Sequence, residues 1–444
     1  MMFKDWVFPA YVRAMGPRKK PKKRRLTDRG QLVLTGALLT AALGLNTETS
    51  YVYQMFALLF CVAIGSRITL RLSRPRVAVK RILPKYATAE QTFTYRIRVE
   101  NLGDNPEQDL VITDQPVTRL PDRQQYTTTL EPNEESRNAY DRFIGFHRFI
   151  YLQRQNTGIT IKPARVDEVA VKAHRDVDVE ATPLRRGVVA FRETQVMHQD
   201  PLALNFGLSH FANTESLLVL PKRYQLNPNW RLSGGRNFQP GGVTAAWSIG
   251  ESDEFVSLRD YRDGDSMRKI HWPSTSKSTA RMQKPVVKEY QDEFFARNAL
   301  LLDLSQQNPR ILEETIAVAS SFALELQNAD SMLDLIFLTD DGPRIITAGR
   351  GTSAVNEQLE ALATVQQCHL PFSELSNLVL THCRLVTGCI GVYADWTDNH
   401  ESLSNRILGE GVALKSLVIS ETELPHGPYA NIKTQSLQAD LLKA

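Results

Sequence analysis

Cysteine and histidine lie next to each other at two places in the chain, and side chains of these types can ligate zinc. The pairs are Cys368-His369 and His382-Cys383, with Cys389 following the second pair. Zinc sites need paired ligands at short, regular spacing, which this order does not provide. The favoured interpretation is therefore buried thiols and surface histidines.

Three carboxylates, Asp260, Asp263 and Asp265, lie around Gly264 and could ligate calcium. A calcium loop needs acidic residues at alternating positions ahead of its glycine, and these residues do not follow that pattern. The chain also lacks a Gly-x-Ser-x-Gly nucleophile, a His-Glu-x-x-His zinc motif and a nucleotide-binding fingerprint. The sequence therefore predicts no catalytic residues.

These carboxylates belong to a densely charged stretch, Tyr261 to Tyr290. Asp263-Gly264-Asp265 predicts a turn, because glycine tolerates positive φ and the aspartates can bond to their own backbone. Alternation over residues 267–272 predicts a half-buried strand after the turn. Between residues 259 and 293 there are eight Lys or Arg and six Asp or Glu, which can pair with one another. The local pattern alone is typical of a hairpin with a solvated, charged face.

The order of residues in this stretch resembles that of the domain of unknown function 58 family. The resemblance is carried by Tyr261-Arg262, Gly264-Asp265, Arg268, Ile270-His271-Trp272, Ala280-Arg281, Lys288-Glu289-Tyr290 and Leu301-Leu302-Asp303, and upstream by Arg185-Arg186-Gly187, Asp200-Pro201-Leu202 and Leu220-Pro221. It implies a membrane-anchored protein with a β-rich region and a von Willebrand factor A-like α/β domain. It also implies a MoxR-type AAA+ ATPase as partner, but no defined biochemical activity.

A second resemblance concerns Asp303-Leu304-Ser305, which is similar to the start of the metal-ion-dependent adhesion site of von Willebrand factor A domains. That site begins Asp-x-Ser-x-Ser, and Gln307 stands here in place of the last serine. Thr352, ahead of a predicted helix, and Asp395, after a predicted strand, occupy suitable places for the other two ligands. Oxygen ligands of this kind suit Mg²⁺. The alternative is that Asp303 and Ser305 only cap the loop and helix that follow.

The charge of the chain is unevenly distributed. Residues 1–76 hold 14 Lys or Arg against three acidic residues, whereas the remaining residues hold 39 against 46. The folded body is therefore acidic, which argues against nucleic-acid binding in spite of a net charge of +4. Four cysteines in 444 residues do not form a disulfide framework, so a reducing compartment is expected.

Two uncharged runs, residues 30–47 and 49–66, are separated only by Glu48. As a helix each run spans about 27 Å, close to the roughly 30 Å thickness of the hydrocarbon core. We therefore predict a hairpin of two transmembrane helices. Basic residues flank it on both outer sides and are absent from the connection, so both termini and the soluble domains are predicted to face the cytoplasm at the inner (plasma) membrane. The basic flanks should attract anionic lipid headgroups.

The hydrophobic pattern changes along the rest of the chain. After residue 77 apolar residues recur with a period of two, most clearly over Phe93 to Val99, and many short strands separated by turns predict an immunoglobulin-like β-sandwich. Asn227 to Gly250 is rich in Gly and Pro and reads as a linker. After residue 298 strands alternate with helices, which predicts an open, mostly parallel sheet with helices on both faces. The first of these helices is predicted over Arg310 to Gln327, and one face of it carries Ile311, Thr315, Ala319, Phe322, Ala323 and Leu326.

The predicted architecture is thus multidomain. Its order is a basic cytoplasmic tail (1–29), a transmembrane helical hairpin (30–66), a β-rich, sandwich-like domain (67–225), a linker and family-specific region (226–297), and a von Willebrand factor A-like α/β domain (298–444).

The leading functional hypothesis is a non-enzymatic, membrane-tethered adaptor or scaffold, working with a MoxR-type AAA+ ATPase in envelope or stress-related complex assembly. The candidate residues for the interface, or for the support beneath it, are Arg262, Asp263, Asp265, Arg268 and Trp272. The competing hypothesis is a metal-dependent hydrolase that uses Asp303 and Asp395. A third is a lipid or envelope scaffold in which the basic tail dominates.

Overall fold

The computed structural model of the protein consists of two compact units. The N-terminal unit is formed by Met1–Lys222 with Leu362–Thr364, and the C-terminal unit by Arg223–Ala361 with Val365–Ala444. The structure describes residues 8–13, 24–43, 50–132, 134–227, 250–263, 265, 267–279, 285–293, 297–325, 332–347, 352–422, 424–425 and 427–443. Nearly all of the predicted linker and the basic run at 18–23 lie outside these residues.

Two apolar helices follow helix α1 (residues 8–13) and strand β1 (Arg24–Leu26) in the N-terminal unit. They are α2 (Asp28–Leu43) and α3 (Ser50–Leu72). Among the described residues, α3 alone has a segment long and apolar enough to cross a membrane, Tyr51–Leu72, and 11% of its most apolar part is buried. Such an exposed helix is not the core of a globular domain. Residues 44–49, which belong to the predicted spans, lie outside the described residues.

The start of α2 contacts the loop formed by residues 200–205. Thr27, directly ahead of α2, donates its hydroxyl to the carbonyl oxygen of Ala203 at 2.7 Å. Gly30 lies so close to Leu204 that an added Cβ would stand 2.1 Å from its carbonyl oxygen. Any residue other than glycine would therefore push α2 away from the loop.

A buried polar network joins the same loop to α3. Ser66 Oγ donates to Asp200 Oδ2 at 2.7 Å, and Asn205 Nδ2 donates to Ser66 Oγ at 2.6 Å. The backbone N–H groups of Leu202 and Asn205 also donate to the Asp200 carboxylate. One loop therefore holds the first turn of α2 and the last third of α3, and the two helices run antiparallel.

Two β-sheets complete the N-terminal unit. The larger has the order β1-β10-β9-β5-β7 with β3 paired to β10, and the smaller has the order β2-β4-β8-β6. Only the pairing of β3 with β10 is parallel among the described strands of these sheets. The strands are β2 (Val77–Ile82), β3 (Tyr86–Thr88), β4 (Phe93–Asn101), β5 (Glu107–Pro116), β6 (Ile159–Ile161), β7 (Ala164–Val169), β8 (His174–Pro183), β9 (Gly187–Gln199) and β10 (Asn205–Leu220).

The two sheets share one apolar core. Tyr95, Ile97 and Val99 of β4 are buried and alternate with exposed polar residues, as the period of two predicts. They pack in one cluster with buried residues of the larger sheet, such as Ile112 and Val196. The sequence pattern therefore identified the inward face of β4 correctly.

A buried ion pair connects the two sheets inside this core. The guanidinium of Arg81, on β2, donates to both carboxylate oxygens of Asp114, on β5, at 2.8 and 2.9 Å, and neither side chain is exposed. The hydroxyls of Tyr95 and Thr194 also donate to this carboxylate. Burial and the neighbouring Asp114 raise the pKa of the Tyr95 phenol. The carboxylate is thus saturated with donors from both sheets.

Three helices between β5 and β6 were not predicted. They are α4 (Arg123–Thr128), α5 (Ala139–Ile144) and α6 (Phe146–Thr157). Tyr126, Phe149 and Leu152 form a small buried cluster of their own, against which Phe8 and Tyr11 of α1 pack. The short helices contain too few turns for a helical period to stand out in the sequence.

The C-terminal unit contains a six-stranded sheet of order β15-β14-β13-β16-β17-β18, in which only β14 and β15 are antiparallel. The strands are β13 (Arg297–Leu302), β14 (Met332–Thr339), β15 (Gly342–Thr347), β16 (Gly388–Tyr393), β17 (Ala413–Ser420) and β18 (Ala430–Lys433). The helices between and after them are α8 (Pro309–Glu325), α9 (Thr352–Thr364), α10 (Phe372–His382), α11 (Asp398–Gly409) and α12 (Leu437–Lys443).

The sequence predicted most of these elements, and it missed α10, β18 and α12. The predicted apolar face of α8 is buried at Ile311, Thr315, Ala319, Phe322 and Ala323, and the remaining predicted position, 326, lies outside the described residues. The four cysteines are free thiols, and all but Cys61 are buried. One histidine predicted at the surface, His382, is instead buried against Asp334, with Nε2 at 2.7 Å from the carboxylate.

We expect Asp114→Ala to lower the free energy of unfolding of the N-terminal unit by about 3–5 kcal/mol, because it leaves the buried Arg81 charge without its partner. Urea unfolding followed by hydrogen exchange at the β4 amides measures this loss. Asp176→Ala is the matched control, because it removes the carboxylate of an exposed cross-strand pair with Arg98 at 2.7 Å. Equal unfolding midpoints for the two variants would contradict the role given to the buried pair.

Candidate functional site

The charged stretch forms the connection of a two-stranded antiparallel ribbon in the C-terminal unit. Its strands are β11 (Gly250–Asp260) and β12 (Val286–Glu293). Between them lie a 3-10 turn, Met267–Lys269, and helix α7, Trp272–Thr279. The hairpin with strands on either side is therefore present, but the strand predicted over residues 267–272 is wrong.

The local sequence explains why a helix begins here. Pro273 fits the first turn of a helix, where its missing N–H would have no partner in any case. The carbonyl of His271 accepts from the N–H groups of Ser274 and Thr275, and His271 Nδ1 lies 2.7 Å from Ser274 Oγ. These bonds start the helix, and the alternation that predicted a strand is incidental.

Backbone hydrogen bonds hold the connection against β12 at its base. Tyr261 N–H donates to the carbonyl of Pro285 at 2.7 Å, and His271 N–H donates to that of Val286 at 2.8 Å. The N–H of Val286 donates back to Thr275 Oγ1 at 3.1 Å. The connection is thus fastened on both sides of the turn.

Asp265 fastens the turn itself. Its carboxylate accepts from Arg259 Nη1 and Nη2 at 2.7 and 2.8 Å, and from the backbone N–H of Arg262 at 2.8 Å. These hydrogen bonds, first that from Arg259, lower the pKa of Asp265 to about 2. Asp265, a candidate partner-binding residue, is therefore a support beneath the surface.

The other candidates lie on the surface that this support carries. Arg262, Asp263 and Arg268 are exposed, and Trp272 is 67% exposed. The structure adds Met267, which is 74% exposed and which sequence reasoning did not single out. We call these five residues the tip surface. Nothing in a sequence marks an apolar residue as exposed, so Met267 could be found only from the fold.

Asp303 lies directly after β13, at the carboxyl end of the central strand of the C-terminal sheet. It is 4% exposed, and its carboxylate accepts from the backbone N–H and the hydroxyl of Ser305 at 2.9 and 3.1 Å. His400 Nε2 lies 3.3 Å from Asp303 Oδ2. Burial alone would raise the pKa of Asp303, but the hydrogen bonds from His400 and Ser305 outweigh it and lower the pKa.

The hydrogen bonds of His400 decide its tautomer. The backbone N–H of Thr397 donates to His400 Nδ1 at 3.1 Å, so this nitrogen carries no proton. Nε2 therefore carries the proton and donates a hydrogen bond to Asp303. His400 is 4% exposed and packs between the rings of Phe372 and Trp396, with centroid distances of 4.0 and 6.0 Å. Sequence reasoning missed this histidine, because it lies 97 residues from its partner.

The four residues predicted to hold Mg²⁺ are only partly brought together. Asp303 and Ser305 are in contact, whereas Asp395 is exposed and accepts from the backbone N–H of Trp396 at 2.7 Å. Thr352 begins α9, but its side chain lies outside the described residues. Within the described part of the chain, no three His, Cys, Asp or Glu side chains lie close enough to hold a metal ion. The described side chains do not fit a Mg²⁺ site. The N–H group of His400 faces the Asp303 carboxylate, at the position where Mg²⁺ would need an oxygen ligand.

Comparison with known proteins gives a family match for part of the C-terminal unit. Residues 257–386 match a family described as "Protein of unknown function DUF58". The chain therefore contains a DUF58 domain. The match covers the ribbon connection and Asp303, and it ends before Asp395 and His400. The upstream positions of the resemblance, Arg185 to Gly187 and Asp200 to Leu202, lie outside the matched range. No curated protein matches the chain in sequence.

Solved structures give only distant likenesses to this chain. A CARDB domain from Pyrococcus furiosus is 11% identical, covering 33% of this chain and 90% of its own, with a TM-score of 0.18. A PapD-like domain of human CEP192 is 12% identical, covering 33% and 86%, also with a TM-score of 0.18. A cohesin module from Clostridium perfringens is 8% identical, covering 33% and 98%, with a TM-score of 0.16. Likenesses at these scores assign neither a fold nor a function to the chain.

We expect Asp265→Ala to increase amide hydrogen exchange over residues 261–263, because the turn loses its bonds to Arg259. The pKa of Asp265 is depressed, so its contribution is fully present above the ordinary value of roughly 3.9 and is lost as the pH falls through about 2. Exchange protection of the native turn should therefore stay constant from neutral pH to about pH 5. Asp263→Ala is the control, and an equal rise in exchange there would contradict the support role.

For the carboxyl edge of the sheet we expect isothermal titration with Mg²⁺ or Mn²⁺ to give no binding heat that depends on Asp303. The measurement compares the native chain with Asp303→Ala and with His400→Ala, the second of which frees the carboxylate. Saturable heat in the native chain that Asp303→Ala abolishes would establish the predicted metal site instead.

Proposed function

We propose that this DUF58 protein is a membrane-tethered adaptor or scaffold that binds a protein partner through the tip surface. The partner we propose is a MoxR-type AAA+ ATPase, and the assembly would act on envelope or stress-related complexes. The observation that carries the proposal is the exposure of Trp272 and Met267 beside Arg262 and Arg268. Tryptophan, methionine and arginine are the residue types enriched at protein interfaces.

The support beneath the tip surface favours recognition by a preformed surface. The bidentate pair of Asp265 with Arg259 and the bonds to β12 fix the turn before any partner arrives. A surface that is already ordered loses less conformational entropy on binding than a mobile loop does. The two exposed arginines favour a partner surface that carries carboxylates.

We further propose that α2 and α3 both span the inner membrane, with both termini and the soluble domains in the cytoplasm. Three observations support this arrangement: α3 is apolar and exposed, α2 and α3 run antiparallel from one loop, and basic residues lie on the outer sides of both. Basic residues next to spans favour the cytoplasmic side. The tether would keep the chain at the membrane on which the complexes act.

The finer fold assignments are also proposals. Two mostly antiparallel sheets around one core support an immunoglobulin-like sandwich in the N-terminal unit. In the C-terminal unit the chain order of the strands across the sheet is third, second, first, fourth, fifth, sixth, with only the third antiparallel. This order is that of a doubly wound α/β sheet and supports the von Willebrand factor A-like assignment.

We expect Trp272→Ala to weaken binding to a co-purified MoxR-type ATPase by about 2 kcal/mol, or roughly thirtyfold in Kd, as removal of a central aromatic anchor does. Charge reversal of the exposed cations, Arg262→Glu with Arg268→Glu, should weaken it further. Pull-down in mild detergent followed by titration of the purified partners measures both effects.

Leu408→Ala is the matched control, because Leu408 is a comparably exposed apolar residue (51%) on α11 of the same unit. It should leave binding unchanged. Unaltered capture of the ATPase by a correctly folded Trp272→Ala chain would reject the tip surface as the interface. Capture of no ATPase by the native chain would reject the partner.

A further inference from the structure

Three loops of the N-terminal unit each carry one exposed apolar side chain at the tip. They are Leu102 in the turn after β4, Val171 in the turn between β7 and β8, and Leu202 in the loop between β9 and β10, which are 59%, 42% and 51% exposed. An exposed leucine is ordinary on its own, but three loop tips of this kind at one end of a domain form a coherent apolar surface.

Two of these loops are fixed beside Arg76, four residues after the end of α3. The N–H of Leu102 donates to the carbonyl of Arg76 at 2.7 Å. Asn101, fully buried, donates its backbone N–H to Ala173 at 3.0 Å and its side-chain amide to Val169 at 3.1 Å. Asn101 therefore ties the two turns to each other, and Arg76 ties them to the end of α3.

The third loop lies deeper along α3. Ser66 binds Asp200, whose carboxylate accepts from the N–H of Leu202 at 3.2 Å. Ser66 precedes the last residue of α3, Leu72, by six positions, or about 9 Å of helix. The loop of Leu202 thus packs alongside the apolar part of α3.

Exposed charges of both signs border these apolar tips, with Asp104 on the loop of Leu102 and Asp167 and Glu168 ahead of Val171. Arg67, Arg71 and Arg74, on and just after α3, are exposed, and so is Lys172, next to Val171. The surface of α3 between them is also apolar, with Ile68 54% and Leu72 80% exposed. Arginines at the end of an exposed apolar helix are typical of a segment that lies at the interface of an anionic bilayer.

We propose that Leu102, Val171 and Leu202 form a lipid-contacting rim, which inserts into the headgroup and upper acyl region of a bilayer that contains anionic phospholipid. The proposal rests on the membrane tether proposed above and adds a role for the β-sheet unit. Continuity with the exposed apolar surface of α3 selects lipid as the occupant. The unit then rests on the membrane as a docked body. The Asp200-Pro201-Leu202 motif supplies both the anchor to α3 and the deepest of the three tips.

The test uses the full chain with Cys61, the exposed thiol, replaced by serine. Single cysteines at positions 102, 171 and 202 carry an environment-sensitive fluorophore, and the protein is reconstituted into vesicles of phosphatidylethanolamine and phosphatidylglycerol with brominated acyl chains. A label at Leu58, an exposed residue of α3 (60%), reports the span itself. A label at Val117 (41% exposed) is the matched control, because it follows β5 about 30 Å from Glu107, which lies beside Arg76.

We expect bromine quenching to be strongest at Leu58, intermediate at Leu202, weaker at Leu102 and Val171, and absent at Val117. Lys172→Glu should reduce quenching at Val171 without changing that at Leu58. Quenching at Leu58 together with loop labels that behave like Val117 would overturn the lipid-contacting rim and leave the tether standing. No quenching at Leu58 would overturn the tether, and the rim with it. Loop labels shielded from water by a bound protein, without quenching by brominated lipid, would also overturn the rim.

Discussion

The joining of the two sheets in the N-terminal unit depends on the buried ion pair of Arg81 with Asp114. Removing Arg81 and Asp114 from water costs several kcal/mol for each ion, and their attraction compensates only when the remaining hydrogen-bonding capacity is filled. The structure meets this condition with donors from both sheets, the Arg81 guanidinium and the hydroxyls of Tyr95 and Thr194. The two sheets must therefore keep one register relative to each other, because a slip of one residue would strand a buried charge.

Buried carboxylates join separate elements at several places in the described part of the chain. Asp114 joins two sheets, Asp200 joins a loop to α3, and Asp303 joins β13 to the first turn of α11 through His400. Each is surrounded by N–H and O–H donors of the protein itself. A carboxylate whose oxygens are occupied in this way is poorly placed for proton transfer or for binding a cation. Its contribution is to the geometry of the elements that it joins.

The sequence was informative where burial imposes a strict period over many residues. The period of two over β4 and the helical face of α8 correctly predicted which side chains are buried. The sequence pattern was misleading over residues 267–279, because the alternation of six residues resembles that of a strand. Hydrogen bonds of His271 and the fit of Pro273 in a first helical turn favour a helix there instead. The candidate residues of the tip surface were found from their order. Separating the support, Asp265, from the exposed Met267 required the fold.

The close approach of Gly30 to Leu204 has a mechanical consequence. With no side chain between them, α2 and the loop at 200–205 touch through backbone atoms, and Ser66 holds the same loop from α3. No flexible side chain separates the two segments, so a tilt of either helix would move the loop directly. The loop joins β9 and β10, the longest described strands of the unit, which would move with it. The β-sheets are therefore expected to tilt together with the helices. If α2 and α3 span a bilayer as proposed, a change in bilayer thickness or in helix packing would turn the N-terminal sheets relative to the membrane plane.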